Sequence, residues 1–154
     1  MAANASKVRT QMDTAAGVTL RDITDTPETA TALETGVSLG ELDAAYWHGG
    51  EIPHGVFLVT IHVSAIDQTS DETYVLNILV DDVSTLDDTP TTIASYTLTD
   101  LDPGVFVMAI DSKTIPLLDT ESSGSDKFIG IQAVLAGTTP SITYGAWIGR
   151  NVSA

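Results

Sequence analysis

The sequence contains no cysteine and only six Lys and Arg in 154 residues. The first absence excludes disulfides, thiol catalysis and thiolate-bound metal. It leaves the redox compartment open, because a chain without cysteine folds in either environment. The second absence excludes a general nucleic-acid binder. Phosphate backbones are gripped by clustered cations, whereas Lys7, Arg9, Arg21, Lys113, Lys127 and Arg150 are scattered. Against them stand 21 Asp and Glu, for a formal net charge of −15. That balance also disfavours docking on anionic membranes. No run approaches the roughly 18 uninterrupted apolar residues of a transmembrane helix, so no membrane span is expected. The first twenty residues lack the apolar stretch of about 7–15 residues that marks a secretory signal, and none is expected.

What is present is acid, and it is unevenly placed. Between residues 22 and 112 there is no Lys or Arg, while the same span holds twelve Asp and five Glu. Such a body repels copies of itself, stays in solution and is steered toward basic surfaces. It also suits salty surroundings, where screening shortens that repulsion. Residues 1–16 are small and polar, with Lys7 and Arg9 as their cations. They read as a loose N-terminal arm, leaving 17–154 as one domain of ordinary size.

Hydrophobic residues make up 43% of the chain, too many for intrinsic disorder. Their period is 2, not 3.6. In Val56–Ile66, Phe57, Val59, Ile61, Val63 and Ala65 fall on one face, and Thr60, His62 and Ser64 on the other. Tyr74–Asp82 sets Tyr74, Leu76, Ile78 and Val80 against Asn77 and Asp81; Thr92–Thr99 sets Ala94, Tyr96 and Leu98 against Ser95 and Thr97. Lys127–Leu135 and Ile142–Gly149 read the same way. Val105–Asp111 is apolar on both faces, which predicts a strand deep in the fold. Val18–Ile23 and Thr29–Leu39 are weaker strands, and Leu42–Trp47 a single helical turn. Turn-forming clusters at Gly49–Gly55, Asp67–Glu72, Asp87–Pro90, Asp102–Gly104, Ser122–Asp126 and Gly137–Pro140 separate them. About eight short antiparallel strands punctuated in this way predict an all-β sandwich or barrel.

No motif for chemistry is specific. His48, Glu51 and His54 supply two imidazoles and a carboxylate within seven residues, a set that zinc or iron accepts. The Gly-Gly and Pro among them make a loop rather than a rigid frame, so no metal site is assigned. His62 lies on the polar face of its strand. Acid pairs at Asp81-Asp82, Asp87-Asp88 and Asp100/Asp102 resemble the two carboxyls of a glycosidase, but any acidic sandwich offers such pairs. The segment DDVSTLDD lacks the alternating acids and central Gly of an EF-hand, and calcium is left unassigned. Nucleophile-elbow, phosphate-loop and dinucleotide motifs are absent from the sequence. Tyr46, Trp47, Tyr96, Tyr144 and Trp147 are aromatics of the kind that build a sugar platform. Tyr144 and Trp147, three apart in a strand, face opposite sides, so at least one belongs to the core. The expectation is a non-enzymatic structural or binding protein with no cofactor.

The order of the second half carries a resemblance. The lead-in Gly49-Gly50-Glu51-Ile52-Pro53-His54-Gly55 precedes a long alternating strand; an acidic turn follows over Val80–Leu86; then come Phe128–Gln132 (FIGIQ) and a closing hairpin over Ala136–Ile148. Gly36–Gly40 (GVSLG) matches an early segment. This resembles the jelly-roll capsid cement, or decoration, proteins of tailed bacteriophages over roughly residues 30–150. The segment before Gly36 and the acidity of the body depart from the family pattern. The resemblance implies a jelly-roll β-sandwich that assembles as a homotrimer and seats on the major capsid protein at the outer surface of the virion, after synthesis in the host cytoplasm. It implies no catalytic, cofactor or metal residues. Lys7, Arg9 and Arg21 are the candidate contacts to the shell. The competing readings are a carbohydrate-binding, lectin-like sandwich and an acidic enzyme of cupin or glycosidase type centred on His48, Glu51 and His54.

Overall fold

The computed structural model describes residues 19–38, 56–69, 71–111 and 128–150. The arm at 1–16 and the helical turn expected at Leu42–Trp47 lie outside these residues. The described chain forms β1 (Thr19–Arg21), β2 (Ala32–Leu33), β3 (Val37–Ser38), β4 (Val56–Ile66), β5 (Thr73–Asp81), β6 (Thr91–Thr97), β7 (Gly104–Asp111), β8 (Phe128–Ala136) and β9 (Ile142–Arg150). All pairings are antiparallel. One sheet runs β1-β9-β4-β7, and the other β2-β8-β5-β6, with β3 also on β8. This is the all-β sandwich that the alternation predicts. The ninth strand arises because the segment expected over Thr29–Leu39 is two short pieces, β2 and β3, that pair successive stretches of β8.

The core is built by parity. In β4, Val59, Ile61 and Val63 are fully buried; in β5, Tyr74, Leu76, Ile78 and Val80; in β8, Ile129, Ile131, Ala133 and Leu135; in β9, Ile142, Tyr144, Ala146 and Ile148. These side chains from both sheets form one cluster. Burying each Val, Leu or Ile contributes about 1.5–3 kcal/mol. Three register slips interrupt the period, one in β1 and two in the longer strands. Between Val63 and Ala65 the register of β4 on β9 slips, so Ala65 leaves the inward face expected for it and is exposed. Between Ile78 and Leu79 a second slip lets both Ile93 and Ala94 of β6 pack on the core.

The β7 expectation requires correction. This strand is an edge, paired with β4 alone among the described residues, and only its Met108 and Ile110 face are buried. Val105 is 62% and Val107 53% exposed. Apolar residues of both parities predict burial on both sides only when a second layer covers the outer face, and none of the described chain does so here.

The sheet containing β5 and β8 is covered on its outside at one end. The turn after β5 is capped by Asp81, whose carboxylate oxygens accept the backbone N–H of Asp82 (2.8 Å) and of Asp88 (3.2 Å). Within that turn Leu86 takes a left-handed conformation (φ 55°), held by its N–H to the carbonyl of Val83 (3.1 Å). Its side chain is fully buried and fills the space above Gly130, opposite Leu79 on the neighbouring strand. At the opposite end of the sandwich, the Tyr74 hydroxyl accepts the Ser141 N–H (3.0 Å) and lies within donating distance of the carbonyls of Asp67 and Ser141. It ties the β4–β5 connection to the β8–β9 connection.

Leu86→Ala is expected to cost about 2–4 kcal/mol through the cavity it leaves. Gly130→Ala alone is expected to destabilise, because its methyl would fall 2.3 Å from Leu86 Cδ1. The double variant should lose less than the sum of the two. Urea unfolding of the four proteins checks this, and strict additivity would show that Leu86 does not pack there.

Candidate functional site

Two features of the described surface carry chemistry or recognition. The first is Arg21. A bulge in the pairing of β1 with β9 turns Leu20 and Arg21 both toward the interior. Arg21 is 5% exposed, with its guanidinium 4.8 Å over the Tyr144 ring. One terminal nitrogen reaches the carboxylates of Glu34, Glu28 (3.0 Å) and Asp25 (3.7 Å); the other donates to the carbonyl of Thr26 (2.6 Å). Three acids around one cation leave a local excess of negative charge. Burial pushes the Glu28 carboxyl above its usual range. The Arg21 charge pulls it back, and the Glu34 carboxyl beside it pushes it up again. Tyr144, 1% exposed, has its phenol pushed far up by burial, and its hydroxyl has no hydrogen-bond partner.

Arg21 therefore sits inside the fold rather than at the surface contact expected of it. Its one unpartnered donor, Nε, is buried, so the enclosed guanidinium presents no donor face at the surface. The sequence shows Arg21 as one of six cations, but nothing in its local pattern reveals the bulge that turns it inward.

The second feature is the outer face of the β1-β9-β4-β7 sheet. The registers set Thr19, Trp147, Thr60 and Val107 side by side on one rung. Gly145, His62 and Val105 form the next, and Gly149, Leu58 and Ala109 the one on the other side. Ile23 lies over Gly145, close enough that a Cβ there would come within 2.8 Å of its own. None of these three rungs carries a carboxylate, and His62 is their one ionisable side chain. Asp111 follows Ala109 on the same face of β7, and Asp102 precedes the strand, accepting a hydrogen bond from Gln68 (2.9 Å). An uncharged stripe thus runs across a protein of charge −15.

The other expected residues disperse. Lys7, Arg9, His48, Glu51, His54, Tyr46 and Trp47 lie outside the described residues. Asp81 caps its turn with both oxygens, and Asp87 accepts from the Thr85 hydroxyl within it. Among the described residues no group of three or more His, Asp or Glu is arranged to hold a metal ion. Of the aromatics, Tyr144 is in the core as its spacing requires, Trp147 is half-buried on the outer face, and Tyr96 packs on Phe106 (ring centroids 5.1 Å apart) where the sheets meet. The exposed valines of β7 are the feature that sequence reading misplaced. The signal was present, as apolar residues of both parities, but the rank of the strand within its sheet was not.

No family model, curated protein or solved structure matches this chain.

Arg21→Met is expected to destabilise by about 1–3 kcal/mol at neutral pH, because it leaves the half-buried Glu28 and Glu34 carboxylates side by side without their cation. Glu28 contributes with the opposite pH sense to an ordinary salt-bridged acid. Its folded-state value is raised, so its contribution is full below its unfolded value of 4.5 and is lost as pH rises through the folded value. Glu28→Gln should flatten that decline. Urea midpoints between about pH 4 and pH 7 check both, and an unchanged slope in Glu28→Gln would reject the assignment.

Proposed function

We propose that this chain is a capsid cement protein of the tailed-bacteriophage type. It is a structural virion protein that binds the assembled shell as a homotrimer and strengthens the contacts between major capsid subunits. The observation that carries this reading is the uncharged apolar stripe at Val105 and Val107 on an otherwise acidic body, the mark of a protein–protein contact. The strand orders lend support. With β2 and β3 taken as one strand, successive strands alternate between the two sheets except at the β5–β6 hairpin. This order supports reading the sandwich as a jelly roll, an architecture used by capsid proteins among others. Because folds host many functions, the stripe weighs more than the topology.

The mechanism follows from mass action. Where shell subunits meet, few contacts cross. A module that touches several subunits at once buries area that exists only in the assembled state, and so stabilises that state. Three copies held together act as one clasp, and weak contacts per copy suffice. Closed symmetry stops the association from running on. The arm cations Lys7 and Arg9 reach the shell, while the acidic flanks face water at the outer surface of the virion. Arg21, enclosed by its carboxylates, takes no part.

The purified protein is expected to co-sediment with assembled shells and not with free major capsid subunits. Equal binding to both would overturn the mechanism. Removing residues 2–16 should lower shell occupancy, and unchanged occupancy would remove the arm from it.

A further inference from the structure

We propose that the outer face around β7 is occupied by another copy of this chain, with Val105, Val107 and Ala109 as the contact side chains and Thr60 and His62 as their flank. The inference rests on the reading of this stripe as a protein contact and names its occupant.

Three observations select a copy of the chain over a different partner. The first is charge. A basic partner would be drawn to carboxylates, yet the rungs through Leu58, Thr60 and His62 hold none, although the span 22–112 contains seventeen acids and no Lys or Arg. This acidic chain can approach its like only where acids are missing, and the stripe is such a place. The second is position. Val105 and Val107 lie on the rim of the sandwich, because β7 pairs with β4 alone among the described residues. Two or three bodies can bring their rims together while their acidic flanks diverge. The third is contrast. One end of the other sheet's outer face is closed by its own chain, through Leu86 over Gly130, where Leu79 and Asp81 are also buried. Among the described residues nothing covers the β7 face, and Val105 and Val107 stand exposed there. A copy presents the same neutral apolar stripe, which can pack on its like across a twofold axis or on a neighbouring patch around a threefold one.

The charge argument fixes the sign of the salt response. Docking driven by opposite charges weakens as salt screens it, whereas association between like-charged copies strengthens. Solution mass should therefore exceed a monomer and rise or hold as salt increases. Val105→Asp with Val107→Asp is expected to give a folded monomer whose urea midpoint no longer depends on protein concentration, since both side chains are exposed in the single chain. Val105→Lys is the second variant. It reduces the net charge and would favour association if repulsion alone mattered, but it too should weaken the assembly by tenfold or more.

Light-scattering mass across a range of salt, paired with shell co-sedimentation, reads the result. A wild-type monomer at every salt concentration overturns the inference, as does an assembly that both variants leave intact. A monomer that binds shells, and loses them on Val105→Asp with Val107→Asp, would give the face to the shell and leave the cement reading standing. An assembly that dissolves in the variants but ignores shells would keep this inference and end the cement reading. A dimer in place of a trimer would keep the inference and correct the stoichiometry.

Discussion

Period-2 burial is the constraint on which the molecule depends. Val59, Ile61 and Val63 of β4, with Ile142, Tyr144, Ala146 and Ile148 of β9, face Tyr74, Leu76, Ile78 and Val80 of β5 and the matching row of β8 in one cluster. A slip by one residue in any of these strands would bring its polar set inward, so the register is held strongly. Where the chain does slip, it does so locally. The bulge at Ala65 releases one side chain, and the bulge at β1 turns one arginine inward. Both lie close to strand ends, where the cost in core packing is least.

The two outer faces are treated differently. On the β8–β5 side, the capped turn after Asp81 folds Leu86 down in a conformation that leucine adopts only at a cost, and its burial offsets that strain. On the β4–β7 side the described chain supplies no equivalent. The acids, meanwhile, collect in turns, along the Arg21 seam and at the end of β7 rather than on the three rungs through Leu58, Thr60 and His62. The surface is thus partitioned into a charged body that stays apart from others of its kind and a neutral strip that does not.

The long strands were legible because their patterns are local. Alternation in Val56–Ile66 and Tyr74–Asp81 stated both the strand and the side that would be buried, and the spacing of Tyr144 and Trp147 stated that they would part. What was not legible depends on neighbours far along the chain. Val105–Asp111 was read as interior, because no sequence pattern says whether a strand is central or at an edge. The inward turn of Arg21 and the release of Ala65 both follow from bulges, which are relations between two strands. Asp81, open in sequence to catalytic or calcium readings, is a turn cap once it is seen to accept the N–H groups of Asp82 and Asp88.

The clasp around Arg21 also bears on mechanics. The chain enters the sandwich through β1, which is three residues long and hydrogen-bonded to β9 alone among the described strands. So short a strand resists little by itself. The guanidinium, gripped by Glu28 and Glu34 and seated on the Tyr144 ring, rivets that entry point to both sheets at once. A tug delivered through the preceding residues is shared between the layers of the sandwich instead of peeling away one thin edge.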